Sequence, residues 1–315
     1  MTTAQHINMT EALRQSVIAV LGAPPDPMPL QPEVLDVASE PGYRREHIRY
    51  QVGLHDWAYA YVLIPESLER PVPAVFCHHR HRNDFSIGKA EIVGLAGDGE
   101  PAIGVELVRR GYLVFAPDAI GFGERRSPES DGHAFDQAYN FHQLALRLLR
   151  GETLLRKVIW DVSRGVDYLE TRPEVNPRAF GFIGHGYGGK MAIWSMALEP
   201  RFRAGVGHRG AITYREKVRR GDWLQVEFIV PRLMQVADLH HILTLVAPRP
   251  FLLSTTDDDP QGTDAENIYR RALPAYEAYG MAHRLSFYSY PGSDVFDRHM
   301  RHNAYTWLDS WLQPY

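Results

Sequence analysis

Residues 179–194 read AFGFIGHGYGGKMAIW: an apolar run suited to a strand, a corner with four glycines in six positions, and then a helix-forming stretch. A passage from strand through a glycine corner straight into a helix is the setting of the nucleophile elbow, G-x-S-x-G, in which a sharp turn lifts a serine above a sheet. Gly184, His185, Gly186, Tyr187 and Gly188 fill the five places, so the serine position holds Gly186. The corner is not a dinucleotide fingerprint, because G-H-G-Y-G-G lacks the spacing and no first βαβ unit precedes it.

Outward from the corner, short apolar runs alternate with helical stretches. Val72–Cys77, Tyr112–Ala116, Phe180–Ile183, Ala204–Gly207, Phe251–Leu253 and Leu285–Tyr290 are the runs, each bounded by Pro, Gly or Asp. Such alternation predicts an α/β fold with a mostly parallel sheet wrapped by helices. Upstream, His47–Val52 and Trp57–Ile64 alternate about the turn at Gly53–Asp56 and predict an antiparallel hairpin. Leu13, Val17, Ile18 and Leu21 recur at helical spacing before a Pro-rich stretch from Pro24 to Pro32, which predicts an N-terminal docking helix. Residues 1–43 are therefore expected to be an extension and residues 44–315 a single domain, with a cap segment at 222–245 carrying Trp223, Phe228, Met234 and His240-His241.

Composition sets the outer limits. In 315 residues, 44% hydrophobic and 23% charged content suits a globular chain with ample core. A formal charge of −4 gives no basic field to collect phosphates by counterion release, so nucleic acid is not expected as a partner. Cys77 is the one cysteine, and no apolar run approaches a membrane span; the chain is expected to be cytoplasmic, without a signal peptide and without a membrane partner.

Four segments together resemble the α/β-hydrolase superfamily, in its dienelactone-hydrolase-like and acetyl-xylan-esterase-like branch: HRHRNDFSIGKAE (79–91), RRGYLVFAPDAIGFGERR (109–126), the stretch 148–189 that ends in the elbow, and MRHNAYTWLDSWL (300–312). The resemblance covers most of the chain from about residue 72. It implies a central sheet of about eight strands and a Ser–acid–His triad. Carried over residue by residue, the serine falls on Gly186, the histidine on Asp294 of PGSDVF, and the acid on the Asp257–Asp259 cluster, with Asp259 the best match.

Without a hydroxyl at 186 no acyl-enzyme forms, and without imidazole at 294 the usual shuttle is missing. The sequence-based expectation is a non-hydrolytic, cofactor-independent enzyme of natural-product tailoring, which joins or cleaves C–C or C–O bonds, or performs cofactorless oxygenation, by acid–base chemistry. Its catalytic residues would be Asp294, Asp259 and His208, the two carboxylates close enough to raise one pKa. Backbone N–H groups near His79 and Arg80 and at Tyr187 would stabilise an oxyanion, with Arg209 and Arg125 contacting substrate. The substrate would be a small molecule, aromatic or polyketide-like; neither metal nor cofactor is expected, and a homodimer is compatible with the N-terminal extension. Two alternatives stand beside this: a catalytically silent ligand-binding protein, and a serine esterase or dienelactone-type hydrolase with an engineered Ser-to-Gly change at 186.

Overall fold

Because the central runs are apolar at every position, they can be buried on both faces, and helices must cover them on either side. A computed structural model describes residues 3–97, 102–292 and 295–313. After helix α1 (Thr3–Leu21) come β1 (Glu33–Glu40), β2 (Tyr43–Gly53), β3 (Asp56–Pro65) and β4 (Val72–His78). Then follow α2 (Ile103–Val108), β5 (Leu113–Pro117), α3 (His133–Leu149), α4 (Leu154–Glu170), β6 (Val175–His185) and α5 (Tyr187–Leu198). The rest is β7 (Phe202–His208), α6 (Tyr214–Arg220), α7 (Leu233–Val236), α8 (Leu239–Thr244), β8 (Phe251–Thr256), α9 (Gly262–Glu277), β9 (Leu285–Tyr290) and α10 (Arg298–Leu312).

The nine strands form one sheet in the order β1-β2-β3-β5-β4-β6-β7-β8-β9. The first three are antiparallel, β3 meets β5 antiparallel, and from β5 to β9 all neighbours are parallel. This is the α/β-hydrolase arrangement, and each expected run lies in a strand. Within the expected extension, residues 33–40 form a strand to which no sequence signal pointed: they pair with β2 and make the sheet's edge. Their side chains are mostly exposed, so burial leaves no apolar run to read. The hairpin turns through Leu54 and His55, the latter at φ 57°.

Helix α1 docks by its Val17 and Leu21 face, and Arg14 fixes it by donating to the carbonyls of Leu245 (3.0 Å) and Ala197. On one side of the sheet α4 lies very close to the strands. A Cβ on Gly165 would stand 2.8 Å from Phe115 and 3.0 Å from Phe76, so glycine sets that spacing. Overpacking of a filled core costs about 1–3 kcal/mol. Gly165→Val should therefore lower the unfolding free energy by an amount in that range, seen as a lower urea midpoint, and an unchanged midpoint would show that α4 does not approach the sheet so closely.

Candidate active site at the elbow

Parallel strands present their carboxyl ends on one edge of the sheet, and the loops there build the site. Gly186 caps α5 at φ 59°, ψ −109°, its N–H donating to the His208 carbonyl at 2.8 Å and its carbonyl accepting from Lys190 N at 3.0 Å. Among the described residues, nothing but its chain neighbours lies within 4 Å of where its Cβ would be. The flanking glycines are constrained differently: a Cβ on Gly184 would meet the Gly188 backbone at 2.2 Å, and one on Gly188 the His78 carbonyl oxygen at 2.3 Å. The corner thus has the shape of a nucleophile elbow, with open space where a side chain at 186 would project. Tyr187 N, the first helical residue, is one of the donors that no preceding helical carbonyl can satisfy.

His208 ends β7 beside this corner. Its ring is fully buried, stacks on Phe296 at 4.4 Å and 15°, and lies 4.9 Å from the His185 ring. Nδ1 is 2.9 Å from Ser254 Oγ, and Nε2 is buried with no hydrogen-bond partner among the described residues. Burial, reinforced by His185 and Arg209, holds its pKa well below the ordinary histidine value, so the ring is neutral. Asp259 follows β8, where it accepts from Thr255 Oγ1 (2.8 Å) and Gln261 N (3.0 Å) and faces Arg209 Nη2 at 3.4 Å. Arg209 also donates to Thr256 Oγ1 at 2.8 Å, which ties the end of β7 to the acidic cluster after β8. Asp294 lies outside the described residues, and so does its expected approach to Asp259.

Several other expected contacts are corrected. Arg125 is buried and donates to Asp161 (2.8 Å) and Asp56 (3.1 Å), so its guanidinium is committed to the protein interior. The His79 ring is also committed: Nε2 accepts from Ala119 N at 3.1 Å, and Nδ1 lies 2.7 Å from the Arg80 carbonyl. The Arg80 main-chain N–H donates to Glu91, whose carboxylate also binds the Arg80 side chain at 3.2 Å, so that N–H is not open to an oxyanion. β4 ends at His78, and the ring centroids of His78 and His79 are 5.0 Å apart.

Sequence reasoning missed a buried pair beneath the elbow helix. Glu227 is wholly buried with neither carboxylate oxygen partnered, and Lys190 Nζ sits over the rings of Phe228 (4.3 Å) and Tyr214 (4.7 Å). Burial pushes Glu227 up to about 7 and Lys190 down to about 7. No periodicity marks either residue, because each is one polar position in an otherwise apolar stretch. Next to it, the tip of the expected cap, Trp223–Val226, walls a cavity of about 350 Å³ with His81, Asn83, Phe85, His133, Gln137 and Asn140. The rest of that segment is core: Phe228, Leu233, Leu239, Ile242 and Leu243 are buried.

The dienelactone hydrolase family model matches residues 89–294, well over half of the chain. The chain belongs to the dienelactone hydrolase family. "Putative hydrolase YtaP" of Bacillus subtilis (strain 168) is 28% identical over 308 residues, covering 95% of this chain and 98% of that protein. Among solved structures, a "putative acetyl xylan esterase" from Bacteroides fragilis NCTC 9343 superposes with a TM-score of 0.76 at 16% identity, over 98% of this chain and 83% of that one. A glucuronoyl esterase from Solibacter usitatus gives 0.70 at 17%, over 94% and 91%. At these identities the two structures establish the shared fold. The family and its hydrolase relative overturn the expectation of a non-hydrolytic tailoring enzyme, which rested on the replaced positions 186 and 294. Among the described residues no helix is long and apolar enough to cross a membrane.

Burial of neutral imidazoles has a consequence for acid stability. His78, pushed down to about 3 by burial, and His208 both stay neutral when folded and take up a proton near pH 6.5 when unfolded. Their contribution is complete above that pH and is lost as pH falls towards the folded values, about 2 kcal/mol each between pH 7.5 and 5. Urea titrations should show this loss, with a shallower slope for His208→Gln; equal slopes would place the charged ring in the folded protein.

Proposed function

We propose that this member of the dienelactone hydrolase family is an ester hydrolase whose reacting position is residue 186. The observation that carries the reading is the elbow itself. Gly186 holds the strained turn, its Cβ direction is open, and Tyr187 N heads the helix behind it. A serine there would attack the ester carbonyl, lose its proton to a base and expel the alcohol, leaving an acyl-enzyme for water to cleave. In the glycine form, water in the open space attacks the carbonyl directly and the same acid and alcohol leave. The oxyanion faces Tyr187 N–H in both routes. We assign the proton to His208 Nε2, which is neutral and carries no other hydrogen bond; Phe296 must shift to admit it.

The substrate class we put first is an ester carried on a carbohydrate. The 350 Å³ cavity offers the amides of Asn83, Gln137 and Gln225 with the rings of Phe85 and of Trp223, which is 91% exposed. Amide donors and acceptors beside an exposed indole suit hydroxyl-rich rings better than a purely aromatic ligand. That the two solved neighbours are described as an acetyl xylan esterase and a glucuronoyl esterase supports the same class.

The test is hydrolysis of an aryl acetate and of acetylated xylo-oligosaccharides by the chain, Gly186→Ser and Gly186→Ser/His208→Gln. Oxyanion stabilisation and binding without the nucleophile retain about 10³-fold over water, so the chain itself should be slow and Gly186→Ser faster by about 10²-fold or more, with a burst. The serine variant should also lose about 1–3 kcal/mol of stability, since φ 59° strains a side chain. With a base so depressed in pKa, its rate should stay flat through neutrality and fall only well below pH 6.5. A folded Gly186→Ser that is no faster than the chain would refute the assignment of the reacting position, and a double variant as fast as the single one would remove His208.

A further inference from the structure

Away from the elbow, a groove of about 290 Å³ lies between α2 and α10, walled by four arginines, Arg109, Arg110, Arg298 and Arg301, with Glu106, His302 and Tyr305. The protein as a whole has a formal charge of −4, so this concentration of guanidinium groups runs against its average. Two of the four are spent. Arg301 is buried, gives Nε and Nη2 to Glu106 (2.7 and 3.2 Å) and holds the Phe296 carbonyl with Nη1. Tyr305 donates its hydroxyl to the same Glu106 at 2.7 Å, so that carboxylate is occupied from both sides. Arg110 pairs with Asp309 and lies 5.5 Å from the Tyr305 ring centroid.

Arg109, at the C-terminal end of α2, and Arg298, the first residue of α10, are exposed, and no carboxylate of the described residues pairs with either. The nearby Asp297 accepts from Met300 N at 2.9 Å as the helix cap. Four guanidinium groups thus meet two carboxylates, Glu106 and Asp309, and two positive charges remain at the groove with the exposed His302 beside them.

We propose that the groove between α2 and α10 is a binding site for a phosphate group, as free phosphate or as a small phosphate monoester, held by Arg109, Arg298 and His302. A dianion matches the two uncompensated charges, whereas a single carboxylate leaves one arginine unanswered. Guanidinium forks fit tetrahedral oxyanions by paired N–H donors. The Arg301–Glu106–Tyr305 bonds and the Arg110–Asp309 pair make a fixed floor, so little of the site must be ordered on binding. The volume is enough for a phosphate with a sugar-sized substituent. None of the groove's walls belongs to the elbow, so the site stands or falls apart from the hydrolase reading.

Titration calorimetry on the full chain tests it with inorganic phosphate, glucose 6-phosphate and, at matched ionic strength, acetate. One site should take up a phosphate probe while acetate gives no heat of binding, and a stronger response to the ester than to inorganic phosphate identifies the monoester as the ligand, the reverse order free phosphate. Arg109→Gln and Arg298→Gln should each weaken binding about tenfold, as loss of a charge-assisted pair does, and leave the ligand-free melting temperature unchanged, because both side chains are exposed. Absence of binding by both phosphate probes, equal uptake of acetate, or full binding by the double variant would overturn the proposal.

Discussion

The first turn of α5 is pressed so closely between the ends of β4 and β7 that only main chain fits there. A Cβ on Gly188 would stand 2.3 Å from the His78 carbonyl oxygen, and one on Gly189 2.5 Å from that of His208. This contact locates the corner between three strand ends, aims the helix N-terminus along the sheet edge, and forces the turn at residue 186. Gly186 N–H completes it by bonding the His208 carbonyl. The helix, the corner and β7 therefore move as one piece, and His208, Arg209 and the Asp259 cluster take their places from it.

Around that piece the protein buries more charge than its composition suggests. Arg125 and Lys157 share Asp56 and Asp161 between β3 and α4, and Asp56 is held down at about pKa 2 by the two cations in spite of burial. Such a set is self-satisfied, and it ties the loop at Arg125 and the start of β3 to α4. The Lys190–Glu227 pair is of another kind. Its members lie in apolar surroundings with their pKa values drawn together near 7, so the pair loses much of its charge character around neutrality. What a buried charge costs is thereby reduced without a hydrogen-bond network. The segment 226–228 meets α5 through Phe228, whose ring lies 5.7 Å from that of Tyr187 and 4.3 Å from Lys190 Nζ.

The parallel core and the elbow were legible because both are written in local pattern. Val72–Cys77 or Phe251–Leu253 has no polar residue to misplace, and the glycine corner has few other uses. Strand β1 was not legible, since an exposed edge strand held by main-chain bonds imposes little on its side chains. The site divides in the same way. Position 186 followed from the corner, but the commitment of Arg80 to Glu91, of Arg125 to Asp161, and of His79 to Ala119 N depends on partners far along the chain. Residue type alone offered each of these as a free donor or acceptor, and tertiary contact withdrew it.

The same contact explains how position 186 can change without disturbing its surroundings. The close approaches at the corner belong to Gly184, Gly188 and Gly189, whereas none of the described residues apart from its chain neighbours comes within 4 Å of a Cβ at 186. A side chain there adds reactivity and backbone strain but no packing; glycine relieves the strain and leaves every neighbour in place. Hydrolytic geometry and the identity of the nucleophile are therefore separable in this fold: the geometry is secured by main chain against main chain, and the nucleophile is an addition to it. A scaffold of that kind keeps the Tyr187 N–H at the head of α5 and the cavity beside Trp223 whether or not a hydroxyl stands at 186. For that reason the surrounding architecture is a better guide to the chemistry of this chain than the single residue at the centre of the turn.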